Sequence, residues 1–213
     1  MGTGLGISLS VARKAIKDAS WDVANEVLYA LCRLHPNHDD EAVNIAKVWL
    51  IGRAYAAAIE RGSKSDYQGD DLYTKRVGPA LKQCGMDKVL MPVRKLRRPD
   101  AKIVCKAHAA IVVRFRRISK LNHPSLASKY LHFHCPGAVY IYDSRAVRAI
   151  GHLTKSGLTR KELGKVKDGY PKFFARCEAF RKKLEAALGR RVTPRELDKV
   201  LLAADRQLSK DRT

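Results

Sequence analysis

The stretch AVNIAKVWLIGRAYAAAIE (42–60) constrains the fold of this chain more than any other segment. Apolar residues lie on nearly every side of its helical projection. A helix without a polar face is stable in water only when other elements enclose it. The stretch therefore predicts a helix from about 39 to 61, in the middle of a helical bundle and ended by Gly62. Arg53 and Glu60 then need either a partner or a place at the bundle's open edge, because an unpaired charge is not buried.

The rest of the chain supplies helices to surround it. Residues 8–35 read as one or two helices, with Trp21, Ala24, Val27, Leu28, Leu31 and Leu34 at helical spacing and Ser20 as a cap. HPNHDD (35–40) is a turn and SKSDYQGDD (63–71) a loop. Asp70 or Asp71 opens a short helix that reaches Cys84 despite Pro79. MPVRKLRRPDAK (91–102) reads as a basic connector, and residues 101–120 as a long helix. Residues 122–153 read as helix, extended loop, helix. Residues 158–189 are helical with a break near Gly169-Tyr170-Pro171. Thr193, Pro194 and Glu196 form a capping box that opens a final helix over 193–209. Strand patterning is nearly absent. The predicted fold class is all-α: a compact bundle of about eight helices, with 1–213 as one nucleic-acid-binding domain whose division into two lobes is left open.

Charge narrows the function. Lys and Arg number 42 against 21 Asp and Glu, a formal net charge of +21. Such a chain repels itself unless a polyanion neutralises it. The charge is spread along the chain and not concentrated in one amphipathic stretch with bulky anchors, which argues against a membrane surface. No stretch is long and apolar enough to span a bilayer. The expected partner is nucleic acid, double-stranded DNA foremost, with a merely solvated basic surface as the alternative. The runs Arg114-Phe115-Arg116-Arg117, Arg160-Lys161, Arg181-Lys182-Lys183 and Arg190-Arg191, together with Arg97, Arg98 and Lys120, are candidates for the phosphate-binding face.

Five widely spaced cysteines, with no C-x-x-C pair, argue against a disulfide framework, a zinc ribbon or an iron–sulfur loop. Buried thiols in a reducing compartment are expected, as are the absence of a metal and of any cofactor. MGTGLGISLS has neither a secretory leader pattern nor the Ser or Thr that myristoylation requires, since Gly6 stands there. The expected location is the cytoplasm, at the nucleoid.

The segment richest in chemistry is Ser128-Lys129-Tyr130-Leu131-His132-Phe133, followed by Val139-Tyr140-Ile141-Tyr142-Asp143-Ser144-Arg145-Ala146-Val147. A short helix leads into an apolar extended stretch, and an aspartate opens the next helix. About thirty residues here resemble the helix-hairpin-helix DNA glycosylases, in particular the 8-oxoguanine glycosylase-like branch. Leu121–Ser128, without a glycine, stands where that family has a glycine-rich turn, and 143 − 129 = 14 residues separate the two key positions. The resemblance implies base excision on DNA: Asp143 as the carboxylate beside C1′ and Lys129 as the amine nucleophile. N-glycosidic cleavage builds positive charge on the sugar, which a carboxylate stabilises, and a lysine or an activated water attacks. The base must leave the stack, so aromatic walls are needed. Tyr130, Phe133, Tyr140, Tyr142, Trp49 and Tyr55 are candidates, with His132, Arg53 and Arg145 as further substrate contacts. Asp143 also reads as a plain helix cap, Lys129 as a phosphate contact or surface lysine, and Arg145 as an ion-pair member. Two alternatives stay open. Arg145…His152 fits the R-x4–6-H pattern of helical RNase toxins at its upper limit. A non-catalytic DNA-binding regulator, with 193–209 as its recognition helix, is the other.

Overall fold

The computed structural model describes residues 5–154 and 167–210. The fold is all-α, and no strand occurs among the described residues. The chain divides into two compact units, Ser20–Val139 and Met1–Ala19 with Tyr140–Thr213.

The Ser20–Val139 unit begins with α2 (Asp22–Leu34) and α3 (Glu41–Ala54), following α1 (Leu9–Lys17) of the other unit. Trp21, not Ser20, occupies the N-cap of α2. Asp40 caps α3 by accepting from the Val43 amide. The expected helix over 39–61 stops at Ala54, because the chain turns back over its own last turn. The Ala57 amide bonds to the Gly52 carbonyl and the Ala56 amide to that of Arg53. This is a Schellman closure with Ala56, at φ 50°, in the left-handed position that glycine normally fills. Gly52 makes the return possible: a Cβ there would lie 3.1 Å from the Ala58 Cα.

A short α4 (Gly69–Leu72) runs through a π-helical turn, Tyr73–Val77, into α5 (Gly78–Gln83). The widened turn directly precedes Pro79, whose ring has no room against the carbonyl four residues back in a regular helix. The basic connector expected at 91–102 is half helix. α6 (Met86–Arg94) carries Pro92 in its interior, and the buried row Met86, Leu90 and Val93 holds it helical. α7 (Ala101–Ser119) and α8 (Pro124–His134) complete the unit.

The enclosed helix of this unit is α8, not α3. Every residue from Leu126 to Phe133 is buried. α3 packs one face inward through Val48 and Ile51, while Trp49 and Arg53 reach solvent. α8 tolerates enclosure despite a polar sequence because its polar side chains find partners inside. On α2 the inward face is Asn25, Leu28 and Cys32, whereas Trp21, Val27 and Leu34 are exposed. The apolar spacing located that helix but not its buried side.

In the other unit, α1 packs on α11 (Pro194–Lys210), and α9 (Ser144–Leu153) packs on α11 and on α10 (Tyr170–Leu188). α10 starts at the expected Gly169-Tyr170-Pro171 break, with Pro171 in its first turn. Thr193 and Glu196 form the expected capping box reciprocally, at 3.1 and 2.8 Å. α11 buries Leu197, Val200 and Leu201, which makes it a packing helix. The first 35 residues hold two helices, within the one or two expected, and the segment before α6 is subdivided, so the count among the described residues stays near the expected count of about eight.

Candidate functional site

Lys129 lies on the enclosed helix α8 and is 2% exposed. Its Nζ donates to the Ser125 hydroxyl one turn earlier at 2.8 Å and to the Tyr55 carbonyl at 3.1 Å. That carbonyl belongs to the C-cap of α3, the negative end of a helix dipole, where a cation is favoured. The ammonium also stands 5.7 Å from the centroid of the Tyr55 ring. Tyr55 meets Phe133 edge-on at 5.4 Å, and its hydroxyl donates to Asn25 Oδ1 at 2.6 Å. Phe133 in turn lies 4.8 Å from Tyr29. The amine is thus held on two oxygens beside the Tyr55 ring, which itself packs on Phe133. This is neither the solvated lysine nor the surface phosphate contact that the sequence left open.

Asp143 belongs to the other unit. It is extended, caps α9, and accepts from the Ala146 amide at 2.9 Å. Tyr142 beside it packs edge-on against Phe173 and Tyr170. Arg145, one turn into α9, donates to Asp205 of α11 at 2.9 Å, and Arg148 binds the same carboxylate at 2.7 Å. Asp205 is 3% exposed, so both guanidiniums offset the cost of burying its charge. The arginine of the RNase-like pattern is therefore engaged in holding α9 to α11.

The other expected substrate contacts lie as follows. Tyr130 and His132 are fully buried. The His132 Nδ1–H donates to the Val139 carbonyl and its Nε2 accepts from the Tyr29 hydroxyl, both at 2.7 Å. Trp49 is 42% exposed with Arg53 5.7 Å above its ring. Arg53 also pairs with Glu60 at 2.6 Å, and Glu60 accepts from the Tyr73 hydroxyl. Partner and open edge, the two alternatives for Arg53 and Glu60, thus both hold.

A chain of buried polar groups escaped the sequence reading. His38 donates through Nδ1 to Asp87 at 2.8 Å and accepts at Nε2 from the Tyr130 hydroxyl at 2.7 Å. Its backbone amide also bonds to Asp87. Lys47, wholly buried, reaches the Asn37 carbonyl at 2.9 Å. The network ties the 35–40 turn to α6 and α8. Burial pushes His38 down to about 4 against the opposing pull of the Asp87 hydrogen bond. Burial also lowers Lys47 and takes His134, whose ring nitrogens have no partner among the described residues, well below its usual value. These bonds span 49 and 92 residues, so no local pattern announces them.

The five cysteines are all free thiols. Burial raises Cys32 and Cys135 to about 12 and Cys105 to about 11, which suits inert packing groups. No group of three or more His, Cys, Asp or Glu among the described residues is arranged to hold a metal ion. No helix among them is long and apolar enough to cross a membrane.

Of the expected phosphate contacts, Arg97, Arg98, Arg116, Arg117 and Lys120 are exposed. Lys161 and Arg160 lie outside the described residues. Arg181 is not a surface cation: it is buried and clamped by Glu178 and Glu185 at 2.9 and 2.7 Å. Arg190 pairs with Glu196. A basic groove that the sequence did not suggest runs between α1 and α11. It is lined by Arg13, Lys14, Lys17, Arg206 and Lys210, with Asp18 at one end, and encloses about 830 Å³. No family model, curated protein or solved structure matches the chain.

Proposed function

We propose that the protein binds double-stranded DNA through its basic surfaces and excises a damaged or modified base by cleaving the N-glycosidic bond. The carrying observation is Lys129, an enclosed amine held on the Ser125 hydroxyl and the Tyr55 carbonyl beside the Tyr55 ring. The base leaves with the electron pair of the broken bond and takes up a proton, while the Lys129 nitrogen bonds to the sugar carbon and gives up a proton. Electrostatic stabilisation of the positive sugar falls to a carboxylate, which the family resemblance assigns to Asp143. Phosphate affinity is supplied by the net charge of +21 and by the α1–α11 groove. A DNA substrate puts the protein at the nucleoid, in the cytoplasm.

The test is an excision assay on labelled duplexes carrying a panel of oxidised, alkylated and otherwise modified bases, beside single-stranded RNA. Alkali reveals abasic sites and borohydride traps a lysine adduct. The proposal expects abasic sites that disappear in Asp143→Asn, and an adduct that disappears in Lys129→Met. Cut RNA with untouched DNA would replace it with the RNase reading. Tight, sequence-selective binding without cleavage would replace it with the regulator reading.

A further inference from the structure

A second basic recess lies wholly within the Ser20–Val139 unit, and its Arg114 and Arg117 belong to a run already expected to meet phosphate. Its two sides are the 73–83 segment and the last turns of α7. Lys75, Arg76, Arg114 and Arg117 all line a solvent-open recess of about 250 Å³, with Pro79 and Ile118 among the apolar lining. No carboxylate among the described residues lines it. Three guanidiniums without a carboxylate among them, beside Lys75, repel one another, and a bound anion relieves that repulsion.

The four cations are not equivalent. Lys75 is already neutralised, since its Nζ meets Asp71 at 2.9 Å. Arg114 is anchored from behind: Nε donates to the Cys84 carbonyl and Nη1 to the Ala110 carbonyl, each at 3.0 Å. Carbonyl partners fix the guanidinium without cancelling its charge, so ordering it costs a bound ligand little. Arg76 and Arg117 have no ion-pair partner among the described residues. The π-helical turn places Arg76 here. It shifts the residues before Pro79 out of regular helical phase, and it needs no other reason than the proline to exist.

We propose that this recess binds a phosphoryl group of a nucleotide. Guanidinium forks match the tetrahedral oxygens of phosphate in bidentate fashion. One preorganised and two unpaired guanidiniums suit a dianion better than a single carboxylate. The apolar lining reduces screening by water around the ion. The source of the phosphoryl group rests on the DNA reading above; the recess itself does not. It is either a strand end, whose phosphate carries nearly two charges, or a phosphate within the strand, which carries one; the charge match favours the end.

The experiment is calorimetric titration of the full chain with inorganic phosphate, with acetate as the singly charged control. Phosphate is expected to bind and acetate not. In Arg76→Gln/Arg117→Gln, phosphate affinity falls at least about tenfold, while the melting temperature stays put because neither side chain holds the fold. Equal phosphate binding in wild type and double variant, or none in either, overturns the proposal. Oligonucleotides then identify the source. A 5′-phosphorylated strand that outcompetes its 5′-hydroxyl twin in wild type alone marks a strand end; equal competition, lost in the double variant, marks an internal phosphate. Phosphate binding without any strand binding leaves the recess standing and refutes the DNA reading. Strand binding that ignores both substitutions does the reverse.

Discussion

The two units bury polar groups in opposite ways. In Ser20–Val139 the interior holds His38, His108, His132, Lys47 and Lys129, which bond to neutral oxygens, carbonyls at Asn37, Tyr55, Pro124 and Val139 and hydroxyls at Ser125, Tyr29 and Tyr130, and at His38 also to the Asp87 carboxylate. In the other unit the buried groups are ion pairs: Arg181 between Glu178 and Glu185, Asp198 with Arg195, and Asp205 with Arg145 and Arg148. A buried imidazole is sensitive to protonation, because burial penalises the charge that an added proton creates. An ion-paired interior is sensitive to losing one partner, because the other is left charged and buried. The comparison can be broken by treating each unit with the perturbation meant for its neighbour.

Acid has the largest expected effect. His38 and His108 are pushed down to about 4 by burial. Below an unfolded value near 6.5, the unfolded chain takes up protons that the native state refuses. Stability is therefore full above about pH 6.5, falls as the pH drops toward 4, and flattens below that. Each histidine contributes on the order of 3 kcal/mol over that window. His108→Gln keeps a donor for the Pro124 carbonyl, removes the titration and flattens the fall by one proton. Denaturant midpoints measured from pH 7.5 to 4 check this. A fall of unchanged slope in His108→Gln would contradict it.

Arg181→Met comes next. It strands Glu178 and Glu185 and removes the cation beside the Tyr140 hydroxyl, which donates to Glu178. The expected loss is about 3 kcal/mol in urea unfolding. The analogous change on α7, Arg117→Met, leaves stability within about 0.5 kcal/mol. On DNA the order reverses. Arg116→Gln with Arg117→Gln reduces the slope of log affinity against log salt by about 1.8, if each contacts one phosphate; Arg181→Met, which removes a guanidinium already held by Glu178 and Glu185, leaves that slope unchanged. The smallest effect belongs to Ala56. Ala56→Gly relieves the left-handed strain at φ 50° and raises stability by about 0.5 kcal/mol after the entropy cost of glycine.

The same contrast explains what was legible in the sequence. Glu178, Arg181 and Glu185 stand at i, i+3 and i+7, and Arg195 and Asp198 at i, i+3, a helical spacing that could have revealed these pairs, although the sequence reading set Arg181 in a phosphate-binding run. The Asp205 pairs with Arg145 and Arg148, 60 and 57 residues apart, were not local. The capping box at Thr193 and the proline start of α10 are equally local. The Asp87–His38–Tyr130 chain and the Tyr55 contact of Lys129 join residues 49, 92 and 74 apart. Nothing local distinguishes those histidines and lysines from solvated ones. The same reason misassigned the central helix. AVNIAKVWLIGRAYAAAIE carries the apolar pattern of an enclosed helix, yet SLASKYLHFH is enclosed, because distant partners satisfy its polar atoms. The Asp143 cap was readable from one residue and its followers. The burial of Lys129 was not.

The direct measurement is peptide mapping by mass spectrometry after borohydride trapping on a duplex whose modified base the protein excises. The account predicts a single sugar adduct, on the Nζ of Lys129, absent after Lys129→Met in a variant that still binds the duplex. An adduct on another lysine, or excision that proceeds undiminished in Lys129→Met, would contradict it.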